Sequence, residues 1–334
     1  MRFYKIPVFI PELACPHQCL FCNQKKITGA ISAPRPEEVA NMIIRWLSTI
    51  PGGDRSVEVA FYGGNFTGLP LIEQENFLAV ASKFITEGAV QGIRISTRPD
   101  YITPAALGLL KSHGVNTIEL GAQSLHDDVL SASGRGHTAA DVIKASREIL
   151  QSGFTLCLQM MTGLPGDTPE KSMDTAKKIA ALGAAETRIY PALVIRGTEL
   201  EELFEQRKYK PQTLDEAVQL CARLKGFFDT AGITVLRMGL HPGEGLISGS
   251  DLVAGPFHQA FGELVKTKIW LDILRNFTFA QNKGITRIFV SPKEINAAIG
   301  HKGSNKKWLL EKLGAMEIKP DSKLTNTEMY VDYC

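Results

Sequence analysis

The sequence lacks the features that would place it at once among nucleic-acid-binding, membrane or exported proteins. Its 334 residues carry 37 Lys and Arg against 35 Asp and Glu, and a net charge of +2 is too small to predict a nucleic-acid partner. No apolar run approaches the roughly 20 residues of a membrane span. The apolar start, "MRFYKIPVFI", is short and contains Pro7, which favours a buried strand over a signal peptide. We therefore expect a cytoplasmic protein with no membrane association.

Cysteine is scarce too, yet three of the six cysteines stand in the stretch "CPHQCLFC". In the cytosol thiols stay reduced, so clustering of Cys15, Cys19 and Cys22 indicates a metal site or catalysis before a disulfide. A structural zinc ion prefers four ligands, and His17 is too close to the flanking cysteines to complete a tetrahedron easily. Three thiolates favour a 4Fe–4S cluster with one iron open to a ligand. Zinc and a disulfide-forming loop remain as alternatives.

Short β-branched runs alternate with helical patterns up to about residue 240. The seven strand candidates are "YKIPVFI", "SVEVAFYGG", "GIRIST", "TIELGA", "TLCLQMM", "TRIYPALVI" and "ITVLRMGL". Helix N-caps are predicted at Thr103, Thr138, Thr168 and Thr213, and helix ends at Gly114, Gly153, Gly183 and Gly232. This repetition predicts an α/β fold with a parallel sheet, and equal units favour a partial (β/α)6-type barrel whose ligand site lies at the carboxyl ends of the strands. The expected division is a barrel over 1–250, a helical connector over 251–282 and a small domain over 283–334.

Several stretches of the barrel region follow in a recognisable order. After the cysteine loop come "FYGGNFTGLP", "STRPDY", "IELGAQSLHDDVLSASGRGHT", "MMTGLPGDTPE" and "GPFHQAFGELV". Over about residues 1–265 this series resembles the radical S-adenosylmethionine (SAM) superfamily, and within it the Elongator-type branch. The sequence given ends before an acetyltransferase domain of the Elongator type, so we expect the resemblance without that domain.

The resemblance implies two cofactors, a 4Fe–4S cluster and SAM, and an electron donor such as ferredoxin or flavodoxin. The cluster ligands it implies are Cys15, Cys19 and Cys22. The residues it implies for SAM are Phe21, Gly63, Gly64, Asn65, Gln123 and Arg135, with the Gly-Gly-Asn turn at the amino group and the last two at the ribose and carboxylate. Many relatives have an acid where this chain has Asn65, which can still accept a hydrogen bond but carries less charge. The branch usually has an acid where this chain has Ser96 as well, so one cofactor contact differs there.

The C-terminal region has a different composition. From Asn276 to Cys334 nine basic residues face six acids, so this tail has a net charge of +3. Its "INAAIGHKGSNKKWLLEKLG" joins two helical segments through a G-x-x-G loop inside a β-α-α-β pattern, which resembles the KH domain. The resemblance implies RNA contacts at Gly300, His301, Lys302, Gly303, Lys306 and Lys307.

The combined hypothesis is a radical SAM enzyme that cleaves SAM to a 5′-deoxyadenosyl radical and acts on RNA, with tRNA modification as the preferred activity. A radical enzyme of porphyrin-like small-molecule metabolism is one alternative, since coproporphyrinogen oxidases share the cysteine spacing. A non-catalytic cluster protein that binds RNA or haem is another. Histidines 126, 137, 241 and 258 are candidate acid–base groups, but no catalytic residue is assigned. Nothing in the sequence predicts the transferred group or the oligomeric state.

Overall fold

Seven strands form one parallel sheet in the computed structural model, which describes residues 2–10, 15, 19–28, 32–241, 243–279 and 285–333. The strands up to residue 238 are β1 (Arg2–Ile10), β2 (Arg55–Gly63), β3 (Gly92–Thr97), β4 (Val115–Gln123), β5 (Thr155–Thr162), β6 (Glu186–Pro191), β7 (Val194–Ile195) and β8 (Thr234–Met238). The sheet order is β1-β2-β3-β4-β5-β6-β8. The sheet curls into a half-barrel, which confirms the predicted partial barrel with its parallel strands.

The predicted strand "TRIYPALVI" proves to be two strands. Strand β6 ends at Pro191, and β7 leaves the large sheet to pair antiparallel with β9 (Leu252–Ala254). Proline has no N–H for the sheet ladder, so the break at this residue has a simple cause.

Helices follow the strands, and three predicted caps are confirmed. The helices up to residue 248 are α1 (Gln24–Thr28), α2 (Pro36–Thr49), α3 (Leu71–Thr86), α4 (Pro104–Ser112), α5 (Asp127–Ala132), α6 (Ala139–Gln151), α7 (Pro169–Ala181), α8 (Glu199–Glu205), α9 (Leu214–Thr230) and α10 (Glu244–Ser248). Thr103, Thr138 and Thr168 each accept a hydrogen bond from a backbone N–H in the first turn of α4, α6 and α7. None of the helices in the described ranges is both long and apolar enough to cross a bilayer.

The two faces of the large sheet differ in chemistry. One cross-strand row, Phe61–Ile95–Ile118–Leu156, is completely buried and apolar. Side chains alternate between faces along a strand, so the neighbouring row lies on the other face, and that row is Ser96–Glu119–Cys157–Glu186. The hydrophobic core therefore lies on one side of the sheet, and the inner side of the half-barrel carries polar and charged groups.

The chain divides into two compact units, Met1–Thr213 with Phe228–Phe257, and Leu214–Phe227 with His258–Cys334, so that α9 belongs to both. The elements of the second unit after residue 257 are α11 (Phe261–Asn276), β10 (Thr286–Val290), α12 (Ile295–Ile299), α13 (Ser304–Leu313), β11 (Met316–Pro320) and β12 (Met329–Tyr333). Its sheet has the order β11-β10-β12, parallel on one side of β10 and antiparallel on the other. The small C-terminal α+β domain is thus confirmed, whereas its likeness to a KH domain stays a prediction.

Candidate cofactor site at the carboxyl ends of the strands

The turn after β2 is fixed against the end of β1. Gly63 has φ +109°, and a Cβ on it would lie 2.2 Å from the carbonyl oxygen of Ile10. Gly64 donates its N–H to that same oxygen at 3.1 Å. Only glycine fits at position 63, because any side chain would meet the backbone of β1.

Asn65, which follows, is buried and bonded to the end of β3. Its Oδ1 accepts a hydrogen bond from Thr97 Oγ1 at 2.7 Å and another from the Arg98 N–H at 3.3 Å. Two donors match the two lone pairs of an amide oxygen. The Asn65 oxygen therefore holds the turn after β2 to the end of β3. In this conformation a ligand amino group would compete with Thr97 and Arg98 for the same oxygen.

Strand β4 ends in an irregular step that aims Gln123 at the same region. The strand register shifts between Gly121 and Gln123, and Gln123 has φ +64° although it is not a glycine. Such a conformation costs on the order of 1–3 kcal/mol and is frequent at ligand sites. Gln123 is buried, and its Oε1 accepts a hydrogen bond from Gln159 Nε2 at 3.2 Å.

Arg135 joins β4 to the cysteine loop. Its Nη2 donates to the carbonyl oxygen of Gly121 at 2.7 Å, and its Nη1 donates to the Sγ of Cys19 at 3.3 Å. Both Nη groups are thus engaged within the protein, and the planar fork expected for a carboxylate is not open in this conformation. The Nε of Arg135 is buried and has no hydrogen-bond partner among the described residues.

Arg98 is a residue of this site that the sequence did not reveal. It is 1% exposed, it binds Asp100 through Nε and Nη2, and the same Nη2 donates to the carbonyl oxygen of Arg135 at 2.9 Å. Arg98 lies in the "STRPDY" stretch, where a cation directly after a buried strand was the available signal. Through Arg98, the turn at Asn65 and the backbone at Arg135 are held together.

Cys15 and Cys19 both lie near enough to Cys22 to affect its pKa. None of the five described cysteines is in a disulfide. Burial, with contributions from the neighbouring Cys19 and Cys15, raises the pKa of Cys22 to about 12. The Cys22 N–H donates to the Cys19 carbonyl oxygen at 2.9 Å. Within the described part of the chain no three His, Cys, Asp or Glu side chains are arranged closely enough to hold a metal ion. His17, the fourth zinc ligand considered above, lies outside the described residues.

The donor set nevertheless fits an iron–sulfur cluster. Thiolates are the usual ligands of such clusters, and hydrogen bonds to their sulfur atoms are a regular part of these sites. Cys19 already receives one from Arg135, and a guanidinium beside the loop opposes the negative charge that three thiolates bring. Cys15, Cys19 and Cys22 would hold the cluster.

Phe21 lies in an apolar cluster. It is buried with Val129, Leu164, Leu200 and Tyr209, and Cys19 belongs to the same cluster. The position anchors the cysteine loop through its hydrophobic contacts. A direct contact of Phe21 with SAM remains a prediction.

Four buried polar atoms of the site have no hydrogen-bond partner among the described residues: Ser96 Oγ, Arg98 Nη1, Arg135 Nε and His137 Nδ1. Buried polar groups normally find partners, so a group of unsatisfied atoms at the ends of the strands suits a polar ligand. SAM, with its amino, carboxylate and ribose groups, has the chemistry to fill them.

The surroundings of His137 favour a neutral imidazole. Its Nε2 donates to the carbonyl oxygen of Ala122 at 3.3 Å, because a carbonyl can only accept. Burial, together with the charges of Arg135 and Arg98, lowers the pKa of His137 to about 3.

The inner face of the half-barrel holds a charge network that the sequence also did not reveal. Arg188 binds Glu119 and the hydroxyl of Tyr62, and Arg94 binds Glu186. The available signal was a charged residue at an inward position of an otherwise apolar strand, once each in β2, β3 and β4 and twice in β6. We describe this set as the inner charge network: Glu58, Arg94, Glu119, Glu186 and Arg188.

The G-x-x-G loop of the second unit has a backbone that requires its glycines. Gly300 has φ +83° and ψ 157°, and a Cβ on it would lie 2.7 Å from Ser304 Oγ. Lys302 and Gly303 are both left-handed, at φ 52° and 74°. His301 is held to α11, since its N–H donates to Thr267 Oγ1 at 2.9 Å.

The lysines of this loop and of the following helix project into solvent. Lys302, Lys306 and Lys307 are all exposed, and α13 begins directly after the loop at Ser304. The structure therefore brings together every residue for which an RNA contact was expected, on one loop and one helix. The contact itself remains a prediction.

Comparison with known proteins assigns the family. A model of the radical SAM superfamily matches residues 10–179, half of the chain. This chain belongs to the radical SAM superfamily. A model of the radical SAM C-terminal domain matches residues 185–270. The protein is therefore a radical SAM enzyme, and its cofactors are a 4Fe–4S cluster and SAM.

Several relatives of this chain are named Elongator complex protein 3 or tRNA uridine(34) acetyltransferase. An uncharacterized protein of Methanocaldococcus jannaschii is 31% identical over 228 residues, 64% of this chain and 68% of the relative. The tRNA uridine(34) acetyltransferase of the same organism is 34% identical over 134 residues, 39% of this chain and 25% of the relative. Elongator complex protein 3 of Saccharomyces cerevisiae is 32% identical over 209 residues, 57% of this chain and 38% of the relative. The chain thus spans only a quarter to two fifths of the last two relatives.

A solved structure supports the fold. The archaeal Elp3 of Methanocaldococcus infernus superposes with a TM-score of 0.64 at 22% identity, over 82% of this chain and 64% of that chain. This likeness confirms the architecture of the radical SAM fold.

Proposed function

We propose that this radical SAM enzyme acts on RNA and modifies tRNA. The observation that carries the proposal is the identity of 34% with a tRNA uridine(34) acetyltransferase, accompanied by 32% with Elongator complex protein 3. The name of the first relative describes it as an enzyme that acts on tRNA. Since most of their length is not matched, their full activity is not transferred to this chain.

The second unit supports the same proposal. Its G-x-x-G loop combines glycine backbone at Gly300 and Gly303 with an exposed cation at Lys302, and two more exposed lysines follow in the first turn of α13. Glycine lets a phosphate approach the backbone closely, and lysines supply the charge that RNA backbones attract. We assign residues 283–334 to RNA docking and 251–282 to a connector.

In the proposed mechanism the protein positions the reactants. When bound, the reduced cluster and SAM supply a carbon radical by one-electron cleavage of a carbon–sulfur bond. Cys15, Cys19 and Cys22 hold the cluster, while Gly63 and Gly64 leave room for the SAM amino group. Gln123 would orient SAM from the end of β4, and Arg135, which follows α5, would offer SAM its unsatisfied Nε. A protein such as ferredoxin or flavodoxin donates the electron. Because thiol ligands need a reducing compartment, we place the reaction in the cytoplasm.

The first experiment measures 5′-deoxyadenosine. The protein is reconstituted anaerobically with iron and sulfide, reduced, and given SAM with or without bulk tRNA. We expect tRNA to raise the amount of 5′-deoxyadenosine at least several-fold, because substrate drives productive cleavage. The Cys19→Ala variant under the same conditions is the control for cluster-independent product.

The other outcomes separate the alternatives. Product that is indifferent to tRNA, but rises with a porphyrin precursor, would replace RNA by a small molecule as substrate. An intact cluster and bound SAM without any product would favour a binding protein over an enzyme.

A further inference from the structure

Four arginines are buried in the first unit, and Arg135 differs from the other three. Arg94 is bonded to Glu186, Arg98 to Asp100 and Arg188 to Glu119. These three guanidinium groups therefore each face a carboxylate. Arg135 is 7% exposed, and no carboxylate lies within ion-pair distance of it among the described residues.

A buried guanidinium without an opposing charge is strongly unfavourable, so a negative group is expected beside Arg135. Its two Nη groups bind a neutral carbonyl oxygen, that of Gly121, and the Sγ of Cys19. The sulfur is the only one of these two atoms that can become an anion. Of the two protein atoms that Arg135 contacts, only the sulfur of Cys19 can therefore carry a compensating charge.

Several contacts hold the guanidinium in this place. The Gly121 carbonyl oxygen fixes Nη2 at 2.7 Å, and Arg98 fixes the backbone carbonyl of Arg135 at 2.9 Å. A Cβ on Gly121 would lie 2.8 Å from Nη2, so a glycine there leaves the room that this position requires. The Leu20 N–H also donates to the Ser133 carbonyl oxygen at 3.2 Å, which ties the cysteine loop to the segment that carries Arg135.

We infer that Arg135 is the counter-charge of the iron–sulfur cluster and raises its reduction potential through the N–H···S hydrogen bond to Cys19. Reduction adds one negative charge, part of which resides on the cysteine sulfurs. A donor hydrogen bond and a nearby cation stabilise that charge, and both are known determinants of cluster potentials. The inference rests on the proposed assignment of Cys19 as a cluster ligand, and it gives Arg135 a role separate from SAM binding.

A role in SAM binding alone predicts something different. In that case, Arg135 would leave the cluster unchanged when SAM is absent, and its substitution would alter only the affinity for SAM. A merely structural role would lower stability or cluster content without moving the potential of the clusters that do assemble. The midpoint potential measured without SAM therefore distinguishes the three roles.

The experiment is a reductive titration of the reconstituted full-length protein without SAM, with the EPR signal of the reduced cluster as readout. Arg135→Gln removes the charge and the sulfur hydrogen bond. We expect the equilibrium constant for reduction to fall about tenfold, which is a shift of about 59 mV to lower potential for one electron. Arg135→Lys keeps the charge but not the fixed fork, and we expect a smaller shift in the same direction.

Two further variants complete the design. Arg196→Gln removes the same charge from a half-exposed arginine that binds Ser250 and Glu201, and we expect no shift. Gly121→Ala displaces the guanidinium while every ligand and Arg135 itself remain, so it tests the contact if the Arg135 variants assemble no cluster. We expect a lower potential for it too.

Three results would overturn the inference. An unchanged potential in Arg135→Gln or in Gly121→Ala, at full cluster content, would show that the contact has no electronic effect. An equal shift in Arg196→Gln would reduce the effect to overall charge. A wild-type protein that binds no cluster would remove the proposed function itself, and that failure is visible in the iron content before any titration.

Discussion

The Nε of Arg188 donates to a carboxylate oxygen of Glu119 at 3.0 Å on the inner face of the half-barrel. The second nitrogen of Arg188, Nη2, binds the Tyr62 hydroxyl at 2.7 Å, and Arg94 lies 3.8 Å from the same carboxylate. Glu119 is therefore the anion between two buried cations. Because these side chains come from β2, β3, β4 and β6, the pairs cross-link four strands on the face that the hydrophobic core does not fill.

Removal of the charge at Glu119 should destabilise the first unit markedly. Glu119→Gln keeps the shape but leaves Arg188 without its main anion, and breaking a buried pair by removing one partner costs about 3–5 kcal/mol. Urea unfolding of the reconstituted protein measures the loss. As control, Asp128→Asn breaks the exposed pair with Lys171 and should change the unfolding midpoint little. Equal effects of the two substitutions would argue against a structural network.

The positions of the strands along the sequence were predictable because each strand carries its own local signal. Runs such as "GIRIST" and "TLCLQMM" have the residues and length of buried strands, and threonine caps mark where α4, α6 and α7 begin. Local signals of this kind decide the order and type of the elements.

The ion pairs of the inner charge network were not predictable, because their partners are far apart in the sequence. Glu119 and Arg188 are 69 residues apart in the sequence, and the contact exists only once β4 and β6 flank β5. The contact between Arg98 and Arg135 spans 37 residues in the same way. For the site, sequence motifs supplied the residues that we expect to contact a cofactor, but not residues such as Arg98 that hold them in place.

Gly63→Ala should be poorly tolerated. The alanine Cβ would lie 2.2 Å from the Ile10 carbonyl oxygen, at φ +109°, so strain and collision both disfavour it. We expect a loss of at least about 2 kcal/mol in the free energy of unfolding, together with weaker SAM binding. Gly108→Ala is the matched control, because position 108 lies in α4 with open space around it. That variant should instead gain about 0.5–1 kcal/mol, and a similar loss in both would refute the explanation.

Cys19→Ala should remove the cluster while the barrel remains folded. Cys19 is buried, and alanine is the smallest change that deletes its sulfur. We expect iron content after reconstitution to fall at least tenfold, with far-UV circular dichroism like that of the wild-type apoprotein. Cys221→Ala, a buried thiol in α9, should retain full iron content. Full iron in Cys19→Ala would exclude this cysteine as a ligand.

His137 should make the protein less stable at mildly acidic pH. Burial holds the folded-state pKa of His137 at about 3, below the ordinary histidine value of about 6.5, so the unfolded state binds the extra proton as the pH falls through 6.5. Arg135 and Arg98 oppose protonation of the ring, and Asp100 favours it. Between pH 7.5 and 5.5, the wild-type protein should lose about 1.4 kcal/mol more stability than His137→Gln, whose amide does not titrate. Identical pH profiles in urea unfolding would contradict a buried neutral His137.

The G-x-x-G loop should contribute to tRNA affinity through charge. Lys302→Asp reverses an exposed charge in the loop, and Lys323→Asp makes the same reversal at an exposed position elsewhere in the second unit. We expect the loop variant to weaken tRNA binding several-fold and to reduce the slope of log affinity against log salt by about 0.7, the value for one lost phosphate contact on a single strand. Adding Gly303→Asp should weaken binding further, while iron content stays unchanged because the cluster ligands lie in the other unit. Equal losses in Lys302→Asp and Lys323→Asp would mean that tRNA responds to the overall charge of the unit, and the loop would then have no particular role.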